Sequence, residues 1–369
     1  MSTQNHNDLK IVLFCGGSGT RMWPASRRDK PKQFQPLVGD TSMFQQAMTR
    51  IKKGFPQKDV FVITGRQYVG LVVQQEPDLP LENVIIEPEM RDTLAAVGFA
   101  AAVLDKKFDN PIVASLWAAD HLVKNDLEFI KSLKAAYEYV KDTGKMVSID
   151  VKPTYPNIHV GYIKIGKMIK KVNGHAFFEY VKQIEKPDLA TAKKYAASWE
   201  YLWHAGYKVW HAQKMLSQYK KFTPKVYSGF TTIQKSWGTD KQDEVVRRVY
   251  PDFEKQSIDY AIFEKMDPQD MVVLPADIGW SDIGAWNILK EELAQNPTDN
   301  VVSGDVIDIE SEDCLIYNKS ENKIVATIGL KGLIVVDTPD GLLVCDKNKI
   351  SDVKKVIEKI KDSKQDKFL

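Results

Sequence analysis

Cysteine is scarce in this chain, and the three present, Cys15, Cys314 and Cys345, make neither a paired framework nor a Cys-x-x-Cys knuckle. A disulfide scaffold and a structural zinc site are therefore not expected, and a reducing, cytoplasmic setting fits. Long apolar runs are missing too. Ile11 to Cys15 is far too short to span a bilayer, and the polar stretch Met1 to Lys10 lacks the apolar centre of a secretion signal. No membrane segment and no secretion are expected. Nor is there an excess of charge: 51 Lys plus Arg stand against 49 Asp plus Glu, a net +2. So small a charge excludes the basic field of non-specific nucleic-acid binding, and any anionic ligand must be small and locally held.

What is present is 369 residues, 43% hydrophobic and 27% charged. That balance excludes disorder, collagen-like and coiled-coil architectures, and the length favours two or three folded units. Ile11-Val12-Leu13-Phe14-Cys15 is a continuous apolar run stopped by Gly16-Gly17-Ser18-Gly19, which reads as a doubly buried strand entering a glycine-rich turn. Similar runs at Val60 to Thr64, Val84 to Glu87, Ile112 to Leu116 and Met146 to Ile149 are separated by helical stretches around Phe44 to Lys52, Thr93 to Lys106 and Leu127 to Lys141. Such alternation predicts an open α/β sheet with ligands outside the carboxyl ends of its strands.

From Thr154 to about Pro275 the pattern is mixed, with strands expected at Val160 to Ile165 and Phe177 to Ile184, a helix at Leu189 to Ala197, and aromatic-rich segments. Ala285 to Leu293 reads as a helix, and the breaker cluster from Gln295 to Asn300 marks the expected domain boundary. The remainder carries short β-rich pieces at regular spacing, closed by an amphipathic helix at Ile350 to Ile360. The expected domains are a flexible stretch 1–9, a catalytic domain 10–295 and a C-terminal β-rich domain 300–369.

The turn Gly16-Gly17-Ser18-Gly19-Thr20 can aim several backbone N–H groups at phosphate oxygens, although an ordinary tight turn uses the same residues. A dinucleotide fingerprint would need a third glycine where Met22 stands, and a P-loop would need Gly-Lys-Ser/Thr after its spacer. Cations arrive separately instead, as Arg21 and Lys32. Asp120 ends the apolar run Ile112 to Ala119, which places it at a strand's carboxyl end, and Asp282 lies in a glycine-flanked turn. Two hard oxygen donors suit a magnesium ion completed by phosphates and waters; a helix cap and a turn carboxylate are the alternatives. Trp23, Trp280 and Trp286 read as core aromatics, and His121 as a packing or supporting neighbour.

The string Gly16-Gly17-Ser18-Gly19-Thr20-Arg21-Met22-Trp23-Pro24-Ala25-Ser26-Arg27, followed by Pro31-Lys32-Gln33-Phe34, resembles the signature of sugar-1-phosphate nucleotidylyltransferases. Within that superfamily Trp23-Pro24, Ser26-Arg27 and Lys32-Gln33-Phe34 together resemble the mannose-1-phosphate guanylyltransferases. The likeness continues through Glu87-Pro88 with Arg91 and Thr93, Ala119-Asp120-His121, Gly161-Tyr162-Ile163, Glu185-Lys186-Pro187, Ser257-Ile258-Asp259-Tyr260 and Gly279-Trp280-Ser281-Asp282-Ile283-Gly284.

The resemblance implies a Rossmann-like mixed open α/β sheet with a small β-helix-like C-terminal domain. It implies the reaction of GTP with mannose 1-phosphate to GDP-mannose and diphosphate, assisted by Mg2+. It assigns the nucleotide to Gly16, Gly17, Gly19, Thr20, Arg21, Lys32, Glu87, Arg91, Thr93 and Asp120. The sugar phosphate falls to Gly161, Glu185, Lys186, His204 and Gly206. Catalysis falls to Arg21, Lys32, Asp120 and Asp282, with Asp120 and Asp282 as the metal ligands.

Three positions depart from the family pattern. Asp92 stands where asparagine is usual, which leaves a carboxylate as an acceptor for ribose or guanine donors. His204, in Trp203-His204-Ala205-Gly206, stands where the family has asparagine beside the sugar; an acceptor role for its ring would weaken sugar-phosphate binding as pH falls. Trp117 replaces a usual proline. Another hexose 1-phosphate or nucleotide, and a catalytically weak regulatory subunit that binds the nucleotide sugar, are the rival readings. Residues 298–369 contain no histidine, so no cupin-type isomerase is expected there, and packing or homodimer contacts are the uses expected of the tail.

Overall fold

The computed structural model describes residues 8–17 and 19–369. The expected flexible N-terminus lies, for residues 1–7, outside the described residues, and Leu9 already opens the first strand. Packing groups the chain into two compact units. The first contains the described residues up to Gly16, Ala47–Ala119 and Val123–Trp280; the second contains Gly17–Gln46, Asp120–Leu122 and Ser281–Leu369. Packing thus divides the chain differently from the breaker cluster: the signature segment and the helix Trp286–Leu293 belong with the C-terminal residues.

The first unit is built on a nine-stranded mixed sheet. Its strands are β1 (Leu9–Cys15), β2 (Val60–Gly65), β3 (Val84–Glu87) and β4 (Ile112–Leu116). After a short strand, β5 (His121–Val123), come β6 (Met146–Val151), β7 (Tyr162–Val172), β8 (His175–Ile184), β9 (Tyr201–His211) and β10 (Met271–Pro275). The order is β3-β2-β1-β4-β9-β6-β10-β8-β7. β1 pairs in parallel with β2 and β4, while β9 runs antiparallel to β4 and β6.

All seven residues of β1 are buried, as a strand covered on both faces requires. The helix Asp92–Phe108 is buried continuously from Leu94 to Leu104, and its alanines let the neighbouring helices Ala212–Phe222 and Pro224–Ser236 approach closely. Tyr219 OH donates to the Leu94 carbonyl at 2.6 Å. Among the described residues no helix is long and apolar enough to cross a membrane.

In the second unit a coil of short strands alternates between two sheets. Val301–Ser303, Leu315–Asn318 and Leu333–Thr338 lie parallel in one, with Gly341–Asp346 added antiparallel, and Val306–Ile309 pairs with Val325–Ile328 in the other. Met22 and Trp23 of the signature segment are buried in one cluster with Trp286, Leu315, Tyr317, Ile334 and Val353. Directional bonds fix that packing: Trp286 Nε1 donates to the Trp23 carbonyl at 3.0 Å, and Tyr317 OH to that of Pro36 at 2.8 Å. Arg27 Nη2 meets Asp340 Oδ1 at 2.8 Å.

Candidate active site

In the second unit four expected residues converge. Lys32 opens the one-turn 3-10 helix Lys32–Phe34 and is only 4% exposed. Its ammonium donates to the Ile283 carbonyl at 2.8 Å and lies 3.0 Å from Asp120 Oδ2 and 3.6 Å from Asp282 Oδ1. Asp120 ends a 3-10 turn, Ala118–Asp120, that follows β4, so it stands beyond the strand's carboxyl end rather than on it. Asp282 ends the short strand Trp280–Asp282.

Burial alone would raise the Asp282 carboxyl, but the charges of Lys32, His121 and Arg21 and the Lys32 hydrogen bond outweigh it and hold it below its ordinary value. Arg21 reaches the same place, its Nη2 3.2 Å from where a Cβ on Gly284 would stand. Gly19 lets the segment close on itself: at φ +59° its added Cβ would sit 2.5 Å from Lys32 Cβ.

Among the described residues no group of three or more His, Cys, Asp or Glu is placed to hold a metal ion. Asp120 and Asp282 nevertheless aim hard oxygens at one cationic position, which suits an ion that takes its other ligands from phosphates and water. The donor set therefore fits a divalent cation.

The sugar-phosphate candidates gather in the first unit. Gly161 precedes β7; a Cβ there would stand 2.5 Å from Glu185 Oε2 and 3.3 Å from His204 Cβ, so any larger residue would push the Glu185 carboxylate from its place. Glu185 pairs with Lys186 Nζ at 2.9 Å, and Lys186 holds a left-handed backbone, φ +47°. Gly206, at φ +75°, faces Trp117.

His204 overturns the acceptor expectation. Its Nδ1 lies 3.2 Å from Asp150 Oδ1 and its Nε2 3.4 Å from Asp259 Oδ1, so both ring nitrogens face carboxylates and neither is left to accept from a sugar hydroxyl. Asp150 sits where the β6–β9 register shifts, between Ile149 and Val151, and the irregularity redirects its side chain towards β9. Asp150, Lys208 and Gln183 are absent from the site expected from sequence, and Asp259 enters it only within its motif. Asp150 follows the apolar run Met146 to Ile149 as Asp120 follows Ile112 to Ala119, so the rule that singles out Asp120 reaches it too.

The nucleotide candidates Glu87, Arg91 and Thr93 do not gather in the same way. Glu87 is buried and accepts from Tyr250 OH. Thr93 Oγ1 accepts from Ile258 N at 2.9 Å, and Arg91 Nη2 meets Glu89 at 2.8 Å. Asp92 turns its carboxylate onto Thr93 N at 2.7 Å, from a backbone at φ +63°, so one of the oxygens expected to face ribose or base is taken by the neighbouring backbone N–H.

Burial pushes the Glu87 carboxyl up to about 7, against the pull of the Tyr250 hydrogen bond. A raised carboxyl stabilises the fold below its ordinary pKa, and that contribution disappears as pH climbs through the folded value. Relative to the parent, Glu87→Gln is expected to gain stability between about pH 5 and pH 8, by up to about 3 kcal/mol. Urea unfolding of both proteins at the two pH values measures the difference; a pH-independent offset would contradict a titrating Glu87.

Residues 10–298 match the family model for nucleotidyl transferases, and residues 304–360 match that of the MannoseP isomerase/GMP-like beta-helix domain. The chain belongs to the nucleotidyl transferase family. Among curated proteins it is 36% identical to the mannose-1-phosphate guanylyltransferase ManC of Salmonella typhimurium, over 96% of this chain and 73% of that one. A mannose-1-phosphate guanylyltransferase of Escherichia coli K12 matches at 36% over the same shares. Among solved structures, a Thermus thermophilus protein described as a mannose-1-phosphate geranyltransferase superposes with a TM-score of 0.86 at 26% identity, covering 96% of this chain and 99% of that one.

Proposed function

We propose that the chain joins GTP and α-D-mannose 1-phosphate into GDP-mannose and diphosphate, with magnesium as the divalent cation. The observation that carries this reading is Lys32, buried between Asp120 and Asp282 with Arg21 beside them. The relatives named above support the choice of sugar and base.

A phosphate monoester loses its second proton near pH 6, so the sugar phosphate attacks without help from a protein base. One of its oxygens forms a bond to the α-phosphorus of GTP as the bond from that phosphorus to the bridging α–β oxygen breaks, and diphosphate departs with the electron pair. The obstacle is repulsion between anions. Lys32 and Arg21 supply fixed positive charge where phosphoryl negativity grows, worth most in a site that need not reorganise. Asp120 and Asp282 would hold the magnesium ion, which would supply further neutralisation of the phosphate oxygens.

Glu185 accepts from sugar hydroxyls beside the open face of Gly161, and Lys186 meets the sugar's phosphate. Gly16, Gly17, Gly19 and Thr20 present backbone donors to the nucleotide, with Glu87, Arg91 and Thr93 shaping the base and ribose side. Residues 10–295 carry the chemistry; residues 300–369 brace the signature segment through Trp23 and Tyr317 and offer a surface for a homodimer. A nucleoside triphosphate substrate and three cysteines suit the cytoplasm.

Purified protein offered four nucleoside triphosphates against several hexose 1-phosphates should release diphosphate fastest with GTP and mannose 1-phosphate. Faster release with another pair would move the specificity. Binding without release for every pair would favour a regulatory subunit.

A further inference from the structure

The ring of His204 lies inside a cluster of charges that the reaction does not consume. Asp259 Oδ1 accepts from Gln183 Nε2 at 2.6 Å as well as facing the ring, and Asp259 Oδ2 accepts from Ser257 Oγ at 2.8 Å. Asp150 Oδ1 also takes the Ala205 N–H at 3.3 Å, while its fully buried Oδ2 has no hydrogen-bond partner. Lys208, 3% exposed, donates to Ser148 Oγ at 3.1 Å and lies over the Phe263 ring.

An ionised carboxylate only accepts hydrogen bonds, so a ring set between two of them satisfies both only by donating from both nitrogens. A neutral ring accepting from Gly206 N–H, 3.3 Å away, would set its Nδ1 lone pair against Asp150. Charge gives the same answer: two buried carboxylates, Asp150 and Asp259, are matched when His204 and Lys208 both carry a proton.

We propose that His204 is a positioning residue, a doubly bonded imidazolium cross-link that fixes the wall on which the sugar phosphate rests. The proposal deepens the sugar-phosphate reading of this cluster and rests on it. The ring joins β9 to Asp150 on β6 and, through Asp259 and Gln183, to the end of β8 that leads into Glu185. Its backbone N donates to the Gly161 carbonyl at 2.8 Å, so the same residue also sets the open glycine face.

The charged groups facing it are Asp150 from β6, Lys208 from β9, Asp259 from the helix Ile258–Ala261, and Glu185, whose backbone N donates to Glu264. Burial and the charge of Lys208 work against protonating the ring, and the two carboxylates outweigh them. Sugar binding should therefore weaken on the alkaline side, where the ring proton is lost, the reverse of what an acceptor role requires.

The test has two readouts. Histidine-labelled protein gives the ring's charge state by NMR, with His204 assigned by its absence in His204→Asn. His204 is expected to be doubly protonated at pH 7, where ordinary histidines, with a pKa of about 6.5, are mostly neutral. A neutral His204 ring at pH 7 would overturn the cross-link, whatever the enzyme does.

In steady-state kinetics, His204→Asn and, separately, Asp259→Asn should each raise the KM for sugar phosphate about tenfold and leave the KM for GTP within about twofold. His204→Asn should lose the alkaline rise in sugar KM expected of the parent, and Asp259→Asn, which keeps the ring but removes one of its carboxylates, should move that rise to lower pH. An unchanged sugar KM in both variants would overturn the positioning role. A parent that releases no diphosphate with any sugar phosphate would instead overturn the functional reading, and the NMR result would still decide the charge state.

Discussion

Lys32→Ala is expected to cut turnover about a hundredfold or more with its fold retained, the loss typical of one preorganised charge aimed at a developing oxyanion. The buried ammonium has three partners, the Ile283 carbonyl, Asp120 and Asp282, so its removal also leaves two carboxylates facing one another. Some loss of thermal stability must accompany the loss of rate. The two effects separate with metal. A divalent cation can take the vacated position between the carboxylates and recover stability, but it cannot supply a donor placed for the triphosphate. Thermal unfolding with chelator and with excess magnesium, set beside diphosphate release under both conditions, makes the comparison. Arg21→Ala, whose side chain is exposed, should lose turnover with little change in melting temperature. Near-parental turnover in both variants would remove the triphosphate cradle from the mechanism.

Those parts of the molecule were legible in the sequence where local pattern and tertiary role agree. Val84–Glu87 and Ile112–Leu116 are strands at their expected limits, because each is a short apolar run that starts after a breaker, Asn83 or Pro111, and is buried where it lies. Asp120, Asp282 and Lys32 were legible from motif and strand position, and they meet in space.

The central strand Tyr201–His211 was not legible. It carries a histidine and a lysine in the middle of the sheet, and nothing nearby in sequence announces that Asp150, Asp259 and Ser148 accept from them. The helices Ala212–Phe222, Pro224–Ser236 and Gln242–Val249 lay hidden in aromatic and lysine-rich stretches, whose apolar faces acquire meaning only against Leu94 and Phe99 of an earlier helix. Glu87 reads as a ligand through the family resemblance of Glu87-Pro88. The partner that claims it, Tyr250, is 163 residues away. The grouping of Trp23 with Trp286 and the C-terminal coil has the same cause, since it depends on bonds such as that from Trp23 Nε1 to the Phe368 carbonyl.

Asp120→Asn and Asp282→Asn are each expected to raise the magnesium concentration needed for half-maximal rate, and the double variant should be far less impaired than the product of the single losses. The reasoning starts from one cationic position. Both carboxylates approach the same ammonium, at 3.0 and 3.6 Å, so an ion seated beside that ammonium would draw on both. An amide keeps the size of a carboxylate and one weaker oxygen donor, but it gives up the charge that holds a divalent ion. Once one carboxylate is gone the shared position is already compromised, and losing the second removes little more; residues that act as a unit are non-additive in this sense.

The rival arrangement gives a different pattern. If Asp120 only ended its 3-10 turn and Asp282 only balanced Lys32, the two substitutions would act independently. Their losses would then multiply and metal dependence would stay at the parental value. Magnesium titrations of initial rate for the parent, both single variants and the double variant close the cycle. Multiplying losses with an unmoved magnesium midpoint would exclude a shared ion at Asp120 and Asp282 and leave Lys32 and Arg21 as the charges that hold the triphosphate.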